Sequence, residues 1–107
     1  MSKRVRRRYL DLKVVSEQSV NERDVMDAVW NAVLNLLGEY GASKTNLSLM
    51  EYDPQRNFAV VRCSHTALER VRASIASITE INGKRAVIHV IGISGTLRGL
   101  RKKRGCG

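Results

Sequence analysis

The longest periodic stretch in the chain runs from Val25 to Tyr40, and it limits the possible folds more than any other. Val25, Met26, Val29, Trp30, Val33, Leu36, Leu37 and Tyr40 recur at helical spacing and fall within one arc of about 140°. A helix with one apolar face must lay it on another layer, and 107 residues leave room for one domain to supply that layer. Asn21 can cap the helix start, and Glu22 and Asp24 put acids in the first turn. Gly41 suits the far cap. Trp30, at the edge of the arc, is read as a core residue.

The segments around this helix have period two. In Tyr9–Val15, Leu10, Leu12 and Val14 point one way while Tyr9, Asp11 and Lys13 point the other, the pattern of a half-buried strand. Thr45–Tyr52 alternates again, with Leu47 and Leu49 inward. Asp53-Pro54-Gln55-Arg56-Asn57 reads as a turn, and the β-rich run Phe58–Cys63 completes a hairpin. Thr66-x-x-Glu69 has the form of a capping box, opening a second helix with Leu68, Val71, Ile75 and Ile78 on one side. Asn82-Gly83 is a turn, and Ala86–Ile91 is an apolar strand interrupted by His89. The order β-α-β-β-α-β predicts an α+β, ferredoxin-like or RNA-recognition-like sandwich. It has a four-stranded antiparallel sheet, both helices on one face, and a short C-terminal basic helix. One domain is expected over 1–107, with a basic arm at 1–8 and a basic helix or tail at 97–107.

Charge divides unevenly along the chain. Lys3, Arg4, Arg6, Arg7 and Arg8 give the first ten residues +5, and Arg98, Arg101, Lys102, Lys103 and Arg104 give the last ten +5. The stretch between holds nine basic and ten acidic residues, a balance of −1. Clustering of this kind points to a polyanion, nucleic acid before membrane, with solubilising tails as the alternative. In the expected topology the fourth strand runs antiparallel beside the first. The two basic ends should therefore meet as one patch.

The segment Ile91–Arg104 joins that charge to a turn of small residues. Backbone N–H groups at Ser94, Gly95 and Thr96, with two hydroxyls, can hold a phosphate; a plain strand-to-helix turn capped by Thr96 is the other reading. Leu97 and Leu100 share one side and are expected to pack on the domain. The expected RNA-binding set is Arg4, Arg6, Arg7, Arg8, Ser94, Gly95, Thr96, Arg98, Arg101, Lys102 and Lys103. The strand Arg56–Cys63 matches the RNA-recognition strand pattern at Arg56, Phe58, Ala59 and Val61, but lacks its glycine and two stacking aromatics. Tyr9, Phe58, Val60 and Arg62 thus form a second candidate face. It would meet RNA by stacking, or be covered by the terminal helix or a partner protein.

Other functions find little support. The Walker loop spacing is absent, and His65 and His89 stand alone. Two scattered cysteines and two histidines make a poor metal site, and Cys63 and Cys106 read as reduced thiols. No apolar run approaches the ~20 residues of a membrane span, and the basic start lacks a signal peptide's apolar stretch, so a cytoplasmic protein is expected. An acylphosphatase-type enzyme would need a glycine-rich loop with an arginine after the first strand, where Ser16-Glu17-Gln18-Ser19 stands.

From about Arg7 to Lys103 the chain resembles the small archaeal and eukaryotic ribonuclease P protein with an RNA-recognition-like fold, known in archaea as ribonuclease P protein component 2. The marks are Arg8-Tyr9-Leu10, Tyr52-Asp53, Val61-Arg62-Cys63-Ser64-His65 and, most specific, Ile93-Ser94-Gly95-Thr96-Leu97-Arg98. The family often has glycine at the place of Asn57-Phe58. The resemblance implies a subunit of the holoenzyme that cuts the 5′ leader from precursor tRNA. Hydrolysis is then done by a catalytic RNA and its Mg²⁺ ions, with no catalytic residue and no cofactor on this chain. It also implies a second, barrel-shaped protein partner in a two-plus-two assembly. A general RNA-binding or ribosome-associated module of the same fold is the alternative.

Overall fold

The computed structural model describes residues 6–96 together with Arg98 and Gly99. Five strands and two helices follow in the order β1 (Arg7–Ser16), α1 (Glu22–Ser43), β2 (Ser48–Asp53), β3 (Phe58–Ser64), α2 (Leu68–Ala76), β4 (Glu80–Ile81) and β5 (Lys84–Ser94). They form an α+β fold whose sheet has the strand order β2-β3-β1-β5-β4. β1 lies at the centre, antiparallel to β3 on one side and to β5 on the other. Leu10, Leu12 and Val14 on β1 are fully buried, and Val61 on β3 and Ile88 on β5 lie beside them. Val25 and Val29 of α1 and Val71 and Ile75 of α2 close the core from the helix side.

The expected four strands become five because the Asn82-Gly83 turn draws a further pair together. Both residues have positive φ, 52° and 78°, the conformation of a tight hairpin turn. It pairs Ile81 with Lys84 and Glu80 with Arg85, and Ile81 is fully buried. Two residues are too short for an alternation pattern to reveal.

The cap at Asn21 forms as its sequence suggests, with the side-chain oxygen accepting from Asp24 N at 2.8 Å. Further along, α1 departs from its periodicity. Gly38 adopts φ 75°, ψ 173° and breaks the helix, so the residues beyond it no longer follow the apolar arc. Tyr40, beyond the break, is 76 % exposed, and Leu36, before it, is already 54 % exposed, although both belong to that arc by spacing. The helix caps at Lys44 rather than Gly41, and Trp30 is only half-buried. The capping box at Thr66 does not form either. His65 N donates to Arg6 O at 2.8 Å, a single turn of 3-10 helix follows at His65–Ala67, and α2 starts at Leu68 without a side-chain cap.

The β2–β3 turn is shaped by its polar residues. Asp53 accepts from Gln55 N and Arg56 N at 3.0 and 3.3 Å, and Asn57 takes the left-handed conformation at φ 59°. Asn is among the few side-chain-bearing residues that enter this region readily, so a hairpin that suits glycine is kept without one. Tyr52 ties β2 to the α1 entry by donating to Val20 O. Burial, and then the carboxylates of Asp24 and Asp53, raise its pKa and keep the hydroxyl a donor.

The left-handed turn makes Asn57 a sharp test of the hairpin. Asn57→Gly should leave stability unchanged or slightly higher, and Asn57→Val should lower it by about 1–2 kcal/mol in urea unfolding. Burial pushes the Cys63 thiol from its ordinary 9.0 up to about 11. The folded chain keeps this proton where the unfolded chain has lost it, so stability should fall as pH rises from about 9 to 11, and Cys63→Ala should flatten that slope in pH-dependent melts.

Candidate nucleic-acid interface

The pairing of β1 with β5 decides where the basic ends lie. Tyr9 stands opposite Ser94, and Leu10 opposite Ile93. On the other side Arg7 stands opposite Ser64, the last residue of β3. Arg6, Arg7 and Arg8 therefore sit at the same end of the sheet as Ser94, Gly95, Thr96 and Arg98. Contact is direct at one point: a Cβ built on Gly95 would come within 3.2 Å of Arg8 Nη1. Arg6, Arg7 and Arg98 are exposed, and Arg8 is half-buried. Arg4, Arg101, Lys102 and Lys103 lie outside the described residues, as do Leu97, Leu100 and most of the expected basic helix.

The turn after β5 is built from its hydroxyls. Ser94 Oγ accepts from Thr96 N at 3.3 Å, and Thr96 Oγ1 accepts from Gly99 N at 2.9 Å. Thr96 thus caps the start of a helical segment in which Arg98 and Gly99 stand. Gly99 fits for a steric reason, since a Cβ there would lie 2.7 Å from Ser94 Oγ and 2.9 Å from Thr96 Oγ1.

The second candidate face is mixed. Tyr9 and Arg62 are cross-strand neighbours, and both are half-buried. Lys13 sits 4.6 Å from the centroid of the Phe58 ring and also donates to Arg56 O at 2.8 Å. A cation therefore already occupies one face of the ring proposed for stacking. Val60 is only 1 % exposed, and its cross-strand neighbour Asp11 3 %, so neither offers surface. The exposed apolar side chains of this sheet face are Val15 and Val87, which pair across β1 and β5, and Ile91 nearby.

Among the described residues, no group of three or more His, Cys, Asp or Glu side chains could hold a metal ion. Cys63 is a free, buried cysteine. No described helix is long and apolar enough to cross a membrane. Two contacts between a lysine and an aromatic ring were not anticipated. Lys13 reads in the sequence as the polar half of an alternating strand, and Lys44 as a loop residue. Lys13 meets a ring that is 45 positions away, which spacing alone does not connect, and Lys44 meets one only because of how α1 ends.

The model of the Rpp14/Pop5 family matches residues 8–104, a span that runs from Arg8 through the hydroxyl turn to Arg104. The chain belongs to the Rpp14/Pop5 family. It is 36 % identical to ribonuclease P protein component 2 of Pyrococcus furiosus over 94 % of this chain and 83 % of that one. With the same component of Methanosarcina mazei it shares 34 % identity, over 95 % and 86 % of the two chains. Its fold resembles that of a chain in the cryo-EM structure of yeast ribonuclease MRP, with a TM-score of 0.72 at 12 % identity, covering 99 % of this chain and 96 % of that one. In this Rpp14/Pop5 chain the family match thus covers Arg8, the hydroxyl turn and the basic residues that follow it.

The close fit around Gly99 reverses an ordinary helix rule. In an open helix, Gly→Ala would gain about 1 kcal/mol. Here Gly99→Ala should lower the thermal midpoint, because the new methyl meets two hydroxyl oxygens.

Proposed function

We propose that this chain is a protein subunit of ribonuclease P, which supports the catalytic RNA in removing the 5′ leader from precursor tRNA. The observation that supports the reading is that Arg6, Arg7 and Arg8 lie at the sheet end where Ser94 and Gly95 lead into Arg98, in a family member whose curated relatives are named ribonuclease P protein component 2. Phosphates packed closely in a folded RNA repel one another. Arg6, Arg7, Arg8 and Arg98, with Arg4, Arg101, Lys102 and Lys103 from the flanking segments, would neutralise them and release counterions. Ser94, Gly95 and Thr96 add neutral donors that fix the register of that contact. Folded more tightly, the RNA holds its Mg²⁺ ions at lower salt, and hydrolysis stays with the RNA. The protein's share is positioning, so the chain needs no catalytic residue or cofactor of its own.

The same reading supplies partners. The apolar cluster of Val15, Val87 and Ile91 is a fitting contact for the barrel-shaped protein subunit, with two copies of each protein per assembly. A C-terminal basic helix continuing from the Thr96 cap would carry its charges along the RNA. The setting is the cytoplasm, with no membrane.

Reconstitution with the cognate RNA and the partner protein tests this directly. Adding the chain should lower the Mg²⁺ needed for precursor cleavage, and Arg98→Ala should raise it again while circular dichroism stays unchanged. The slope of log affinity against log salt should flatten by roughly 0.7–0.9 for each phosphate that a variant no longer neutralises. Recovery of ribosomal RNA alone in a pull-down would instead favour a general RNA-binding or ribosome-associated module.

A further inference from the structure

Tyr40 is the most exposed of the large apolar and aromatic side chains among the described residues, at 76 %. Its spacing assigns it to the core face of α1, and the break at Gly38 turns it away. The segment after the break is held firmly. Ser43 Oγ donates to Tyr40 O at 2.7 Å, Thr45 Oγ1 donates to Ala42 O at 2.7 Å, and the Lys44 N–H caps Ala42 and Gly41. Lys44 Nζ rests 4.6 Å from the centre of the Tyr40 ring. The ring is thus exposed and fixed, with a cation beside it.

Its position gives this arrangement a purpose. Thr45 O accepts from Ser64 N at 2.8 Å, Ser64 stands opposite Arg7, and His65 N donates to Arg6 O. The end of α1 therefore abuts the sheet end that bears Arg6, Arg7 and Arg8. An aromatic face beside clustered cations is the chemistry that receives an unpaired nucleotide, with the base on the ring and phosphates on the basic groups. Glu39, Ser43 and Lys44, all exposed, give the ring a mainly polar border, with Leu36, four positions earlier, exposed as well.

We propose that Tyr40 and Lys44 form a stacking site for an unpaired RNA nucleotide, extending the basic end of the sheet onto the end of α1. This rests on the RNA-binding reading above. RNA stacking would then reside on a helix end, where Tyr40 is exposed, rather than on the sheet face, where Phe58 is half-buried.

The test measures affinity of the full chain for the cognate ribonuclease P RNA at several salt concentrations. Variants are Tyr40→Ala, Tyr40→Phe, Lys44→Ala and Arg98→Ala, each checked by circular dichroism. Tyr40→Ala should weaken binding by about 5- to 100-fold with an unchanged salt slope, because stacking neutralises no phosphate. Tyr40→Phe should bind within about twofold of the parent, since the ring face remains. Lys44→Ala should flatten the slope by roughly 0.7–0.9. Parental affinity in Tyr40→Ala alongside weakened Arg98→Ala would overturn the stacking site and leave the RNA-binding reading standing. If Tyr40→Ala keeps RNA affinity but loses the protein partner in co-purification, Tyr40 is a protein contact and the proposal fails. A parent chain that does not bind the RNA would overturn both.

Discussion

Strand β1 is hydrogen-bonded to neighbours on both sides, and most of the molecule's organisation depends on that double pairing. Its inward residues Leu10, Leu12 and Val14 have no solvent exposure to speak of, and each meets a residue of β3, of β5 or of both. A central strand cannot slip by one residue without turning all three to the opposite face. The register that buries them is the same register that sets Tyr9 against Ser94 and Arg7 against Ser64. Hydrophobic packing thus fixes an electrostatic feature. Arginines that would repel one another in a free chain are held together because the core beneath leaves the strands no other alignment.

Holding like charges together carries a cost that a partner must offset. Arg8 lies against Gly95, where a Cβ would crowd its guanidinium at 3.2 Å. One salt bridge, Arg72 with Glu69 on the surface of α2, is present among the described residues, and at 3.7 Å between exposed groups it adds little. On the proposed function, the basic end gains most when the RNA polyanion arrives. The buried polar features act locally instead: the Tyr52 hydroxyl anchors β2 to the start of α1, and Asn46 donates to Ser64 Oγ beside the basic end.

Much of this was legible in the residues. Alternation located β1 and the hairpin strands, Asn21 marked the start of α1, and Asn82-Gly83 marked the last turn. Strand order alone put the start of β1 beside the end of β5, where Arg6, Arg7 and Arg8 share a sheet end with Arg98. What escaped was decided by single backbone conformations. Gly38 looks like any helical glycine until its φ is known, and its break moves Tyr40 from the core to the surface. Thr66 and Glu69 have capping-box spacing, but the bond from His65 to Arg6 takes up the segment and delays the helix. β4 owes its existence to a hairpin turn rather than to any pattern of its own. Val60 has the alternation of an open-face residue, and its burial depends on neighbours that spacing along one strand does not reveal.

The pairing of β1 with β5 shifts register between Asp11 and Leu12, leaving Ile91 as an extra residue on β5. Before the shift, even-numbered residues of β5, Ala86, Ile88 and Val90, meet the core; after it, Ile93 does. The odd residue out is therefore a counting device that assigns Ser94 to the open face beside Tyr9. Were every residue of β5 paired in regular alternation, with no bulge, Ile93 would point to solvent while Ser94 turned toward the helices, with the hydroxyl turn and Arg98 carried round by the same half-step. Deleting Ile91 would straighten the ladder and leave these faces as they are, whereas an extra residue not absorbed by a bulge would turn them. The side chains along β5 can vary one by one, but residue count and bulge must change together if the basic end is to keep its orientation.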